Sequence, residues 1–418
     1  LSEHFQKDRL AIRTVEELPW QLLQLRSWQD LFDLFSDLDF FSLNWEANQY
    51  EVQEAWSMLH QLGGLTPAEA YRDSLFQPEH HDPHAIWYLA LFLMDVGEGE
   101  LANPAWSYLI SCLGTENREQ DLQACLCNQA LILKAQGDLS GAMELHKQQE
   151  EICRRLNNPD GLQACLGNQA LILQAQGNLS GAMELHKQKE EICRRLNNAD
   201  SLGISLGNQA LILRAQGDLC GAMELHKQEE EICRRLNNPD GLGISLGNQA
   251  LILKAQGDLS GAMELHKQQE EICRRLNNPD GLQRTLGNQA LILQAQGDLS
   301  GAMELHKQKE EICRRLNNPD GLGICFGNQA VILQAQGDPT GAMNLLKQQE
   351  EICRRLNNPE SLIRSLANQA LYLIQDFSKP QQAWPLIAEA VQLVNQHGYL
   401  QLAPQVQAIA DAIQEQLE

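Results

Sequence analysis

The sequence predicts an all-α solenoid of antiparallel helix pairs, and three observations carry that prediction. Asn-Gln-Ala recurs at Asn128, Asn168, Asn208, Asn248, Asn288, Asn328 and Asn368, each step being 40 residues. The stretch between these marks, for instance Gly247–Leu282, is repeated almost without change. Each repeat holds two runs of helical apolar spacing separated by Gly-Asp. A fixed period of about 20–50 residues signals units that bury apolar surface only against their neighbours. Such a stack is expected to bind or scaffold rather than to enclose a catalytic pocket, so no enzyme activity, catalytic residue or cofactor is expected.

The first helix of the unit is predicted from about Leu242 to Ala255, because Leu242, Leu246, Ala250 and Leu253 step by four, four and three along one face. Gly257-Asp258 ends it, since Gly suits the left-handed end of a helix and Asp can cap the next. The second helix is predicted from about Leu259 to Leu276, with Leu259, Ala262, His266, Cys273 and Leu276 inward. On its outer side Glu270 with Arg274 and Glu271 with Arg275 stand at i,i+4, the spacing of solvated ion pairs. Asn277-Asn278-Pro279-Asp280 closes the unit, with Pro set for the first turn of the next helix.

At 418 residues the chain exceeds one hydrophobic core, and 43% hydrophobic residues are ample for folding. A net charge of −23 excludes the basic footprint of a nucleic-acid binder and disfavours anionic membranes. Residues 1–120 carry 20 acidic residues against 6 basic, which suits solubility or a basic partner. Six of twelve cysteines, Cys153, Cys193, Cys233, Cys273, Cys313 and Cys353, share one repeat position. Stacked layers about 10 Å apart exceed disulfide reach, so these thiols read as buried apolar side chains in a reducing, cytoplasmic compartment. Cys125 and Cys127 form a lone C-x-C without a second pair, so no metal is expected.

The 40-residue unit resembles the tetratricopeptide repeat in its kinesin-light-chain form, over roughly residues 85–400. Asn248, Ala250, Gly257 and Ala262 stand at that family's positions. Gln249 stands where the family usually has Leu, His266 where it has an aromatic, and Gln269 where it has Ala. The resemblance implies a right-handed superhelix whose first helices line a concave groove that binds protein or peptide. Residues 85–120 read as a diverged capping repeat, 121–367 as the array, and 368–418 as capping helices over about 381–396 and 402–417. Residues 1–84 lack the period and hold Trp20, Trp28, Trp45 and Trp56, four of the seven tryptophans, as a helical N-terminal domain. Within them Arg13–Phe41, with Glu17-Leu18-Pro19-Trp20, is similar to the helical region that precedes the repeat sensor in STAND-type ATPases. No G-x-x-x-x-G-K-[ST] occurs, so the ATPase would lie upstream.

The candidate partner-binding residues are the Asn ladder (Asn128 to Asn368) and the inner-face positions that vary between repeats. At the start of the first helix the varying positions include Ile204, Ile244 and Arg284; near its end they include Lys134, Arg214 and Lys254. Asn either bonds a bound peptide backbone or bridges neighbouring helices. A third variable set, Gln149, Lys189, Glu229, Gln269, Lys309 and Gln349, lies on the second helix, outside the expected groove. The His ladder (His146, His186, His226, His266, His306) is expected to pack in the core, because Leu346 replaces it one repeat later. Three functions fit: a non-catalytic peptide or protein scaffold, the sensing module of a STAND ATPase, and a self-associating spacer whose identical repeats offer identical interfaces.

Overall fold

The computed structural model describes residues 12–116 and 118–417. The first eleven residues of the predicted N-terminal domain therefore lie outside the described residues. All 21 α-helices follow one another without a strand among the described residues, and within each unit successive helices pack against one another. The chain divides into two compact units, one up to Ser205 and one from Leu206. No described helix is long and apolar enough to cross a membrane.

The first unit opens with α1 (Ile12–Leu25), α2 (Trp28–Ser36), α3 (Leu38–Met58), α4 (Pro67–Phe76), α5 (Pro83–Asp95) and α6 (Gly99–Glu116). Its core is aromatic. Phe41 meets Phe92 at 5.3 Å and Trp56 meets Tyr71 at 5.6 Å between ring centroids, and the same apolar cluster continues to Ile132. Trp28 and Trp45 join that cluster, while Trp20 stays exposed. The repeat pairs follow: α7 (Glu119–Ala135) with α8 (Leu139–Arg155), then α9 (Pro159–Ala175) with α10 (Leu179–Leu196); the division between the units falls within α11 (Ala199–Ala215).

The second unit continues with α12 (Leu219–Arg235) and the pairs α13 (Pro239–Ala255) with α14 (Leu259–Arg275), and α15 (Pro279–Ala295) with α16 (Leu299–Arg315). Then come α17 (Pro319–Ala335) with α18 (Pro339–Arg355), α19 (Pro359–Gln375) with α20 (Pro380–His397), and α21 (Ala403–Leu417). Hereafter helix A and helix B denote the first and second helix of a repeat.

The turn chemistry explains the alternation. Gly257 sits at φ 87°, a region that costs a side chain roughly 1–2 kcal/mol, and its neighbour Asp258 accepts from Gly261 N at 2.8 Å to cap helix B. At the other end Asn277 takes φ 49°, and Asn278 caps the next helix A through Gly281 N. Helix A starts three residues before the apolar pattern, at Pro239, because the Asn238 cap and the proline ring set its first turn. In the last repeat, where Phe377 replaces the glycine, Ser378 adopts the left-handed conformation instead, at φ 51°.

Each helix pair is sealed by small residues. Ala250, Ala262 and Ile292 form one buried cluster, and Ala290, Ala302 and Ile332 the next. The cysteine ladder is buried as expected, and none of the twelve cysteines forms a disulfide. Cys193 donates to Gln163 Oε1 at 2.8 Å, and Cys313 to Gln283 Oε1 at the same distance. Burial pushes the Cys353 thiol up to about 11. Exposed Cys220 supplies an internal standard. A maleimide should label Cys220 within minutes in native protein, while Cys193, Cys233, Cys273, Cys313 and Cys353 label only after unfolding. Peptide mapping that finds native labelling of the ladder at the Cys220 rate would contradict this packing.

Candidate functional site

The three departures from the tetratricopeptide pattern meet in one polar network. Gln249 donates to Glu230 Oε2 at 2.7 Å and reaches the backbone carbonyl of His226. Gln289 repeats this with Glu270 and His266, Gln329 with Glu310, and Gln369 with Glu350. The other oxygen of each glutamate accepts from the arginine four residues on, as Glu270 does from Arg274. These glutamates are therefore not a freely solvated ion-pair face. Each ties helix B to helix A of the next repeat. The expected companion pair, Glu271 with Arg275, is not formed, and both side chains are exposed. In the first repeat the equivalent Arg155 reaches Glu119 instead, at 2.6 Å.

The histidine ladder lies in the core, each ring fully buried. His146, His226 and His266 bond through Nδ1 to Gln149, Glu229 and Gln269 at 2.9, 2.7 and 3.0 Å. Beside Lys189 and Lys309 this bond is missing, and both ring nitrogens of His186 and His306 lack partners. Burial, with the neighbouring lysine adding to it, pushes both rings down to about 4. Burial likewise lowers His146 and His266.

The seven ladder asparagines occupy a different face from the glutamines beside them. Each is half-buried, and none of their amides has a hydrogen-bond partner among the described residues. Ile204, Ile244 and Arg284 stand one helical turn before Asn208, Asn248 and Asn288, and all three are exposed. Arg284 Nε bonds only its own helix, at Asp280 O. Lys134, Arg214 and Lys254 are half-buried toward the ends of their helices. Near the end of the array this face opens into a cleft of about 450 Å³. Asn328 and Asn368 line it with Ile324, Arg364 and, from α21, Gln405.

Sequence reasoning noted the third variable set but missed where it packs. Its members on helix B are buried or nearly so, and five of the six pack on a helix-A glycine: Lys189 on Gly167, Glu229 on Gly207, Gln269 on Gly247, Lys309 on Gly287, Gln349 on Gly327. Gln349 and Gly327 line the same cleft as Asn328. A signal was present in the sequence: a glycine in the middle of a helix, kept in five repeats, faces the most varied position of an otherwise constant helix.

The family model of the MalT-like tetratricopeptide repeat region matches residues 109–405, well over half of the chain. No curated protein matches the sequence. Among solved structures, a STAND signal-transduction ATPase with a tetratricopeptide repeat sensor from Pyrococcus horikoshii is 13% identical, with TM-score 0.59, covering 92% of this chain and 67% of its own. The apo quorum sensor NprR from B. thuringiensis is 13% identical, with TM-score 0.57, covering 84% and 99%. Aspartyl phosphate phosphatase F from Bacillus subtilis is 12% identical, with TM-score 0.56, covering 92% and 94%. At these identities the likeness concerns the fold.

The buried rings make stability depend on pH. Unfolded histidines take up protons as pH falls below about 6.5, whereas His186 and His306 resist until about 4. Their contribution is complete above pH 6.5 and is lost between 6.5 and 4. Thermal melting is expected to drop by several degrees across that window, and the double change His186→Leu with His306→Leu to reduce the drop. Leu already fills the equivalent site at Leu346. Parallel melting curves of variant and parent against pH would refute the buried neutral rings.

Proposed function

The chain belongs to the family of MalT-like tetratricopeptide repeat regions, and we propose that it is a non-catalytic module binding an extended peptide or protein segment along the helix-A face. One observation carries this reading: the ladder of asparagine amides with no hydrogen-bond partner in the fold. Each amide offers two donors and an acceptor, the complement of an extended backbone. The exposed Ile204 and Ile244 beside it supply apolar contact. The site residues proposed are Asn128, Asn168, Asn208, Asn248, Asn288, Asn328, Asn368, Lys134, Arg214, Lys254, Ile204, Ile244 and Arg284. A cytoplasmic location suits cysteines that form no disulfide. The division at residues 84, 120 and 367 is likewise proposed, from the sequence period.

A second reading makes the chain the sensing module of a STAND-type ATPase. The Glu17–Trp20 segment favours it, together with a fold shared with a STAND protein that carries a repeat sensor. Under that reading the same face receives the signal.

The test begins with a displayed library of random twelve-residue peptides panned on the full chain. Against a selected peptide, one Asn→Ala change should cost roughly 0.5–1.5 kcal/mol. Replacing Asn208, Asn248 and Asn288 together should weaken binding by about one hundredfold or more, with helicity unchanged. An unaltered dissociation constant for the triple variant would place the binding surface elsewhere.

A further inference from the structure

We propose that Lys309, and in the other unit Lys189, are receptors for acidic side chains of the ligand, each ammonium reaching the asparagine face of helix A through a glycine notch. The peptide that binds is therefore acidic. This rests on the groove reading above and adds the chemistry that selects the partner.

The position is the most varied on helix B, reading Gln149, Lys189, Glu229, Gln269, Lys309 and Gln349 within helices that are otherwise almost constant. Buried positions seldom vary in charge, because an unpaired buried ion is costly. Both lysines are nine-tenths buried, with 9% of their surface exposed. Neither has a hydrogen bond or ion pair among the described residues.

Geometry says where the ammoniums point. In three repeats the residue here is tied to a histidine three positions earlier, through Gln149, Glu229 and Gln269. Lysine does not make that bond; its stem instead lies over helix A. Lys309 Cδ and Nζ stand 3.4 and 3.3 Å from where a side chain on Gly287 would begin, and Lys189 Nζ stands 3.1 Å from the same point on Gly167. Next to these glycines in sequence are Asn288 and Asn168.

The repeat before the last shows what this track opens onto. Gln349, facing Leu346 instead of a histidine, has a buried Oε1 without a partner, and it lines the cleft with Gly327, Asn328 and Asn368. A side chain at this position thus reaches the candidate groove, and in the second unit Lys309 holds it one repeat earlier.

The charge of the surrounding positions agrees. In a chain of net charge −23, the variable groups on helix A are Lys134, Arg214, Lys254, Arg284 and Arg364. The one acid among the helix-B set, Glu229, is taken by His226 Nδ1 at 2.7 Å. Burial pushes Lys189 down, with Cys193 and Asp200 opposing. An incoming carboxylate would lower the cost of keeping such a cation charged.

The test uses Lys309→Gln and Lys189→Gln in the full chain, because glutamine already fills this position in three repeats and the fold accepts it. Peptides enriched by the parent from the random twelve-residue library should carry Asp or Glu. Lys309→Gln should weaken a selected peptide at least about tenfold, as should the Glu→Gln change in the peptide. The two changes together should be less than additive, the mark of a direct pair. Selected peptides without acidic residues, or acidic peptides that bind both variants as tightly as the parent, would overturn the receptor role while leaving the groove standing. Enrichment of no peptide, or of peptides indifferent to the Asn208, Asn248 and Asn288 triple change, would overturn both.

Discussion

One glutamate per repeat holds the array together. Glu270 gives one oxygen to Arg274 on its own helix and the other to Gln289 on the next. Glu230, Glu310 and Glu350 do the same with Gln249, Gln329 and Gln369. Hydrogen bonds to a charged partner contribute about 1.5–3 kcal/mol, more than neutral ones. Apolar contacts such as Ala250 with Ala262 are non-directional and would tolerate a slip of one helix against another. The bifurcated glutamate does not, since a shift of a few ångströms breaks the Gln bond and strands a half-buried carboxylate. Spacing between repeats, and with it the placement of every residue on the helix-A face, depends on this contact.

That constraint separates two adjacent amides of opposite meaning. Gln249 and Asn248 differ by one residue, about 100° around the helix. The glutamine turns inward, where its donors are used by Glu230 and the His226 carbonyl. The asparagine turns to the open face, where no group of the described fold meets it. The helix-bridging role that an asparagine here could have played already belongs to its neighbour. An amide that the scaffold does not use recurs in each repeat, and it is this group that the proposed groove offers to a ligand.

Much of this was legible in the sequence because it is local. The period, the Gly257 and Asn277 turns, the Asp258 cap and the alternation of burial along α13 and α14 depend on residues within one repeat. Leu346 in place of histidine was enough to assign the ladder to the core. What escaped is what two helices decide jointly. Glu271 and Arg275 have the same spacing as Glu270 and Arg274, yet only the latter pair forms, on the side of helix B where Gln289 of the next repeat reaches Glu270. Gln249, His266 and Gln269 read singly as departures from a family pattern; only the packed repeat shows that they satisfy a common set of polar groups. Lys309 was placed outside the expected groove because nothing along its own helix reveals that Gly287 faces it.

Near-identity between repeats then acquires a physical reading. The residues that hold neighbouring repeats in place, Gln, Glu, Arg, the turn glycines and the caps, satisfy one another and stay constant. Much of the variation falls at the positions of Ile244, Lys254 and Gln269, and at the last of these the scaffold bond to histidine is kept in three repeats and absent where lysine stands. Two of these lie on the helix-A face itself. The third lies beneath it and is admitted through a glycine that costs the helix roughly 0.5–1 kcal/mol relative to alanine. In each repeat that glycine leaves room for the helix-B side chain whose charge changes most along the chain. An alanine would give a better helix and a closed floor. Keeping the notch in five repeats while changing what fills it separates the choice of partner from the stability of the stack.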